Sequence, residues 1–111
     1  MSYLIALTLT LAIEVPITVG LLRFWLRASL RDAVLLTIAG NLITHPIVWF
    51  IPPVVPPQTV SSDLALTLAE VFAIIVEALV LRTRIERRFS SLLIIAFISN
   101  SASLLIGTAL I

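Results

Sequence analysis

The chain has 111 residues, 60% of them hydrophobic and only 12% charged, with a net charge of +1 and a mean hydropathy of +1.20. Soluble domains carry about 45–50% apolar and 25% charged residues, so this composition excludes one, and three or four spans of about 20 residues use up nearly the whole chain. There is no cysteine, which excludes disulfides and thiolate metal sites.

The first apolar segment, Tyr3 to Leu22, follows only Met1 and Ser2. It lacks the basic n-region and small-residue cleavage site of a removable signal peptide, so it is expected to stay as a span. Thr10, Glu14 and Thr18 stand on it at i, i+4 and i+8, on one helical face. The connection "RFWLRASLRD" follows, with Arg23, Arg27 and Arg31.

The second segment, Ala33 to Ile51, contains "GNLITHPIVWF", where Asn41, Thr44 and the sole histidine, His45, interrupt an apolar run. Thr37, Asn41, Thr44 and His45 make one stripe. Pro46 leaves the carbonyl of Leu42 without its usual N–H partner, a freed acceptor inside the membrane.

The loop "PPVVPPQTVSSD" carries no arginine. Successive prolines remove donors and restrict their neighbours, so "PPVVPP" reads as a stiff extended turn, better suited to a spacer than to a ligand for an SH3-like partner. "SSD" supplies an N-cap, with Asp63 at the positive end of the next helix. That third segment, Leu64 to Leu81, carries Thr67, Glu70 and Glu77, and "RTRIERR" after it holds Arg82, Arg84, Arg87 and Arg88. The fourth segment, Ser90 to Ile111, carries Asn100, Ser103 and Gly107 on one face.

These elements predict an all-α, polytopic membrane protein: a four-helix bundle in a single domain over residues 1–111, with spans 3–22, 33–51, 64–81 and 90–111. Alternating ten-residue strands, which a barrel needs, are absent. The seven basic residues are all arginine and lie in the first and third connections. By the positive-inside rule those two loops face the cytoplasm, and both termini and the proline-rich loop lie on the non-cytoplasmic side of the cell (inner) membrane. The arginines suit topology and anionic lipid headgroups rather than nucleic acid, and Trp25 and Trp49 read as interfacial anchors.

The two hairpins look like a tandem repeat. "LTLAIEV" (Leu9 to Val15) resembles "LTLAEV" (Leu66 to Val71), and "NLIT" (Asn41 to Thr44) matches "NSAS" (Asn100 to Ser103) as a shared N-x-x-[ST]. On this alignment Glu14 corresponds to Glu70 and Asn41 to Asn100, and the halves are related by an axis along the membrane normal. Leu-, Ala- and Ile-rich helices match easily, so the weight of the comparison rests on its polar positions.

Helical rise places Glu14, Asn41 and Asn100 in one layer at about 15–17 Å from the outer surface, with Glu70 and His45 at about 9–11 Å. Glu77 falls deeper, within reach of Arg23 or Arg82. The four polar stripes are expected to converge inside the bundle.

An ionisable residue inside a span costs about 2.5–3.5 kcal/mol on insertion scales, and such residues mark function. Polar glue between helices, at about 0.6 kcal/mol per hydrogen bond, is the plainer explanation, but Ser, Thr and Gly supply it more simply. The expected function is transport or conduction of protons or small cations. Glu14 and Glu70 are the carriers, His45 a relay, Asn41 and Asn100 coordinating neutrals, and Thr10, Thr18, Thr44, Glu77 and Ser103 the supporting core.

Four helices enclose little room, so a homo-oligomer is expected. The alternative is a non-catalytic accessory subunit of a larger membrane complex. The E-x-x-H spacing of carboxylate-bridged metal centres is missing, since Ile17 and Ala73 follow Glu14 and Glu70. No phosphate-binding or hydrolase motif is present either. The reading is therefore of a non-enzyme in the lipid bilayer, needing no cofactor beyond a bound cation.

Overall fold

The computed structural model describes residues 2–56 and 58–110. Met1, Pro57 and Ile111, the last being the expected end of the fourth span, lie outside the described residues. Four helices form, α1 (Tyr3–Phe24), α2 (Leu30–Phe50), α3 (Ser62–Arg82) and α4 (Phe89–Leu110), with a short 3-10 turn at Pro52–Val54 between α2 and α3. Each helix is 21 or 22 residues long, about 33 Å at the α-helical rise. All four are long and apolar enough to cross a membrane, which makes the chain a multi-pass membrane protein.

Local chemistry sets the helix starts. Ser2, Ser29 and Ser61 each accept a backbone N–H from three residues on, from Ile5, Asp32 and Leu64, all at 3.2 Å. They satisfy donors that a helix leaves free at its first turn. Asp32 and Asp63 sit in the first turns of α2 and α3, next to the positive dipole end. Helix α2 thus begins at Leu30 rather than at Ala33, because a capped, charged first turn precedes its apolar run.

The proline-rich segment departs from the extended form expected of it. Pro52 and Pro53 occupy the first positions of a 3-10 turn, where a missing N–H costs nothing. The bonds that close this turn come from Val54 to Ile51 and from Val55 to Pro52. Pro16 and Pro46 lie inside α1 and α2, which run through them.

Helix α1 packs against α2 and α4, and α3 against the same two, while among the described residues the backbones of the diagonal pairs stay apart. The result is an up-down-up-down square measuring 45 × 25 × 19 Å. Its long axis equals the ~40–45 Å of a bilayer with headgroups. Leu35, Leu42, Leu79, Phe97 and Leu105 are exposed on its sides, as lipid-facing positions are.

All seven arginines are exposed and gather at one end. There Arg84 pairs with Asp32 at 3.8 Å, and Arg87 Nε donates to the carbonyl of Leu26 at 3.1 Å, tying the two basic loops together. Beneath them lies a dense apolar core of Leu22, Ala33, Ala78, Leu81, Ile85, Leu92, Ile95 and Ala96.

Burial repeats between the hairpins in a register that corrects the expected one. Buried Ala6, Glu14, Thr18 and Leu22 of α1 match, at constant separation, buried Ala69, Glu77, Leu81 and Ile85 of the second hairpin. In the same way Ala33, Thr37, Gly40 and Asn41 of α2 match Leu92, Ala96, Ser99 and Asn100 of α4. The counterpart of Glu14 is therefore Glu77, one pair of turns beyond Glu70. The similarity of "LTLAIEV" to "LTLAEV" pairs Glu14 with Glu70 instead, but burial does not repeat across that match: Glu14 is buried where Glu70 is only partly so, and Ala69 is buried where Ala12 is exposed.

Candidate functional site

On α2, the polar side chains first serve their own helix. Thr37 Oγ1 donates to the carbonyl of Ala33 at 2.6 Å, Asn41 Nδ2 to that of Thr37 at 2.9 Å, and Thr44 Oγ1 to that of Gly40 at 3.0 Å. Asn100 Nδ2 on α4 does the same with Ala96 at 2.8 Å. Such back-bonding keeps a polar side chain satisfied in an apolar medium while it stays able to reach a neighbour.

Two of these groups also reach Glu77. Thr44 Oγ1 donates to its Oε1 at 3.3 Å, and Asn100 Nδ2 donates to its Oε2. One carboxyl thus joins α2, α3 and α4, and it is only 7% exposed. Gly40 makes the room, since a Cβ there would lie 3.2 Å from Glu77 Cγ. The expected pairing of Glu77 with Arg23 or Arg82 is not made: both arginines are exposed at the basic end, and the carboxyl is held by neutral donors instead.

Glu14 occupies the equivalent place on the other side. It is 2% exposed, with Ser103 and Asn41 beside it and the Glu77 and Glu70 carboxyls near enough to act on it electrostatically. Each N-x-x-[ST] motif is divided between the two acids. Asn41 stands with Glu14 and Thr44 with Glu77, while Asn100 stands with Glu77 and Ser103 with Glu14. Residues three apart sit one above the other on a helix face but turned slightly apart, so one motif can address both flanking helices.

Above this layer a partly open cavity of about 680 Å³ spreads toward the chain termini and the proline turn. All four helices and the turn residues Pro53 and Val54 line it. Glu14, Thr44, Asn100 and Ser103 contribute its polar floor, Glu70, His45 and Thr10 stand in its walls, and the rest is largely apolar, including Leu9, Ile13, Val48, Leu66 and Leu104. Below the layer a void of about 10 Å³, bordered by Glu14, Glu77, Thr18, Asn41 and Ser99, is close to the smallest space that holds a water.

His45 is half-buried in an aromatic group, its ring centroid 5.1 Å from that of Tyr3 and 6.1 Å from that of Trp49. Its Nε2 makes no hydrogen bond, and neither does Oε1 of Glu14. Among the described residues these are the buried side-chain polar atoms left without partners, and both belong to residues lining the large cavity.

Of the residues singled out from sequence, Glu14, Asn41 and Asn100 meet in the buried layer with Thr18, Thr44 and Glu77. His45, Glu70, Thr10 and Ser103 are only partly buried and line the cavity. Thr67, expected on the inner stripe of α3, is exposed and donates to the carbonyl of Asp63 at 2.8 Å. Sequence reasoning missed Gly40 and Ser99, both buried. Their signal was present as a small residue directly before each asparagine, "GN" and "SN".

Among the described residues no three His, Asp or Glu side chains group closely enough to hold a metal ion. Compared with protein-family models, with curated proteins and with solved structures, the chain matches none.

Proposed function

We propose that this membrane protein binds protons or small cations at its paired carboxyls and passes them along the bundle. One observation carries the reading. Glu14, buried and with one oxygen left unpaired, lies at the base of a cavity of about 680 Å³, and a second buried glutamate, Glu77, held by neutral donors, borders the small void beneath it. Helix glue does not require two buried acids, each costing about 2.5–3.5 kcal/mol to insert, nor a buried acceptor left without a partner.

In this reading Glu14 and Glu77 hold the cation or proton. Asn41, Asn100, Thr44 and Ser103 coordinate beside them, and Glu70 and His45 carry it along the cavity wall. The positive-inside rule supports a cytoplasmic position for the arginine end, and in that orientation the cavity opens to the non-cytoplasmic side. A single chain already encloses this space, so the outer half of a pathway does not depend on a homo-oligomer. The inner half is filled by the Leu22–Leu92 core, so passage requires those helices to part or a second copy to rearrange them.

The test is a flux assay on the purified protein in liposomes, offering protons and then monovalent and divalent cations. Wild type is compared with Glu14→Gln and Glu77→Gln. The expected result is flux in wild type and at least a tenfold loss in both variants with the fold intact. No flux under any condition would sink the reading and favour an accessory subunit that works only within a complex.

A further inference from the structure

The cavity is far larger than a proton or a metal ion needs. At about 680 Å³ it falls within the ~300–1,000 Å³ of pockets that hold drug-sized molecules. Its wall is mainly aliphatic and aromatic, with Ile13, Val48 and Trp49 among the lining residues. A hydrated inorganic ion gains nothing from such a wall, whereas an organic body gains by burial.

Its polar end specifies the other half of a ligand. Glu14 is 2% exposed and its Oε1 is unpartnered. An ionised carboxylate can only accept hydrogen bonds, and it attracts a positive charge. His45 Nε2, also unpartnered in the wall, accepts as well when the ring proton is on Nδ1. Two buried acceptors without partners, on two residues of one cavity lining, favour a head that brings several N–H donors. An ammonium group has three, and a quaternary ammonium of equal charge has none.

We infer that the cavity binds an amphipathic primary amine, its ammonium head on Glu14 and its apolar body against the walls around Trp49. This rests on the reading of the carboxyl layer as a cation site and names the class of cation.

The test is a matched series with one apolar body: phenylbutylamine, phenylbutyltrimethylammonium and phenylbutanol. Binding to the detergent-purified protein is followed by equilibrium dialysis and by the emission of Trp49, in a Trp25→Phe background that leaves Trp49 as the only tryptophan. A hydrogen bond to a charged group contributes about 1.5–3 kcal/mol, so the amine should bind at least about tenfold more tightly than either analogue. Glu14→Gln should erase that preference. Should Glu14→Gln fail to fold, Gly107→Phe replaces it, because Gly107 lines the cavity and a Cβ there meets nothing within 4 Å, so the added ring would take up part of the cavity.

Gly107→Phe should weaken binding of all three compounds. Affinities within about threefold of one another would reveal an unselective apolar cleft and overturn the inference. So would a trimethylammonium compound that binds as well as the amine, no binding by any of the three, or amine binding that Gly107→Phe leaves unchanged. Because the readout is binding, the two readings fail separately. Proton or sodium flux without amine selectivity removes only this inference, and amine selectivity without any flux removes only transport.

Discussion

The two ends of the bundle are built on opposite plans from the same four helices. At the arginine end Leu22, Leu81, Leu92 and Ile95 are at most 2% exposed and fill the space between helices. At the other end the same helices stand around a cavity of about 680 Å³. What separates the plans is side-chain volume on the inward faces. Large aliphatics point inward below the carboxyl layer, whereas above it the buried inward positions of α1 and α3 are Ala6, Ala65, Ala69 and Ala73. A packed end holds the fold together, so the other end can keep room for something else.

The sharpest way to break this contrast is to cut one leucine from each end. Leu92→Ala removes a fully buried side chain from the packed core and should cost about 2–5 kcal/mol. Leu9→Ala removes one that is half-buried and faces the cavity, and it should cost about 1 kcal/mol or less. Unfolding of the two variants in mixed micelles measures both. Equal losses would mean that the cavity end is packed as tightly as the other.

The layer between the ends is expected to come next in effect. Asn100→Leu takes away the donor that Glu77 receives from α4 and leaves the carboxyl with Thr44 alone. A buried acceptor that loses its partner costs about 1–3 kcal/mol. If the loss reflects that stranded carboxyl, the double variant Asn100→Leu/Glu77→Leu should recover most of it in the same unfolding measurement. A double variant as unstable as the sum of the singles would show that the two side chains act independently.

Much of this arrangement is legible in the sequence. Four hydrophobic runs, three of them opened by a serine cap, specify four helices, because composition and N-cap chemistry are local. The polar stripes of α2 and α4 are also legible, since Thr37, Asn41 and Thr44, and Asn100 and Ser103, keep helical spacing. What sequence did not yield is which acid on α3 turns inward. Glu70 and Glu77 are seven residues apart and so share nearly the same helical face. Only packing against α2 and α4 distinguishes the one held by Thr44 and Asn100 from the one left in the cavity wall. Nor could apolar residues reveal an empty space: leucines that line a cavity and leucines that fill a core look alike until their neighbours are known.

Two glycines sharpen the comparison with the smallest of changes. Gly40→Ala would set a methyl 3.2 Å from Glu77 Cγ, closer than side chains comfortably sit. The carboxyl would have to shift away from Thr44 or Asn100, at a cost of about 1 kcal/mol. Gly107→Ala places the same methyl in open space at the cavity end. There the only remaining effect is the helix-forming advantage of alanine over glycine, worth about 0.5–1 kcal/mol in aqueous helices, so this variant should be as stable as wild type or slightly more so. Alanine brings the same helical advantage at Gly40, where it offsets much of that cost, so of the two variants, melted under one condition, Gly107→Ala should be the more stable by about 1 kcal/mol. If Gly107→Ala is instead no more stable than Gly40→Ala, the space around α4 is closed by a neighbour, and the cavity end is not the open half of the molecule.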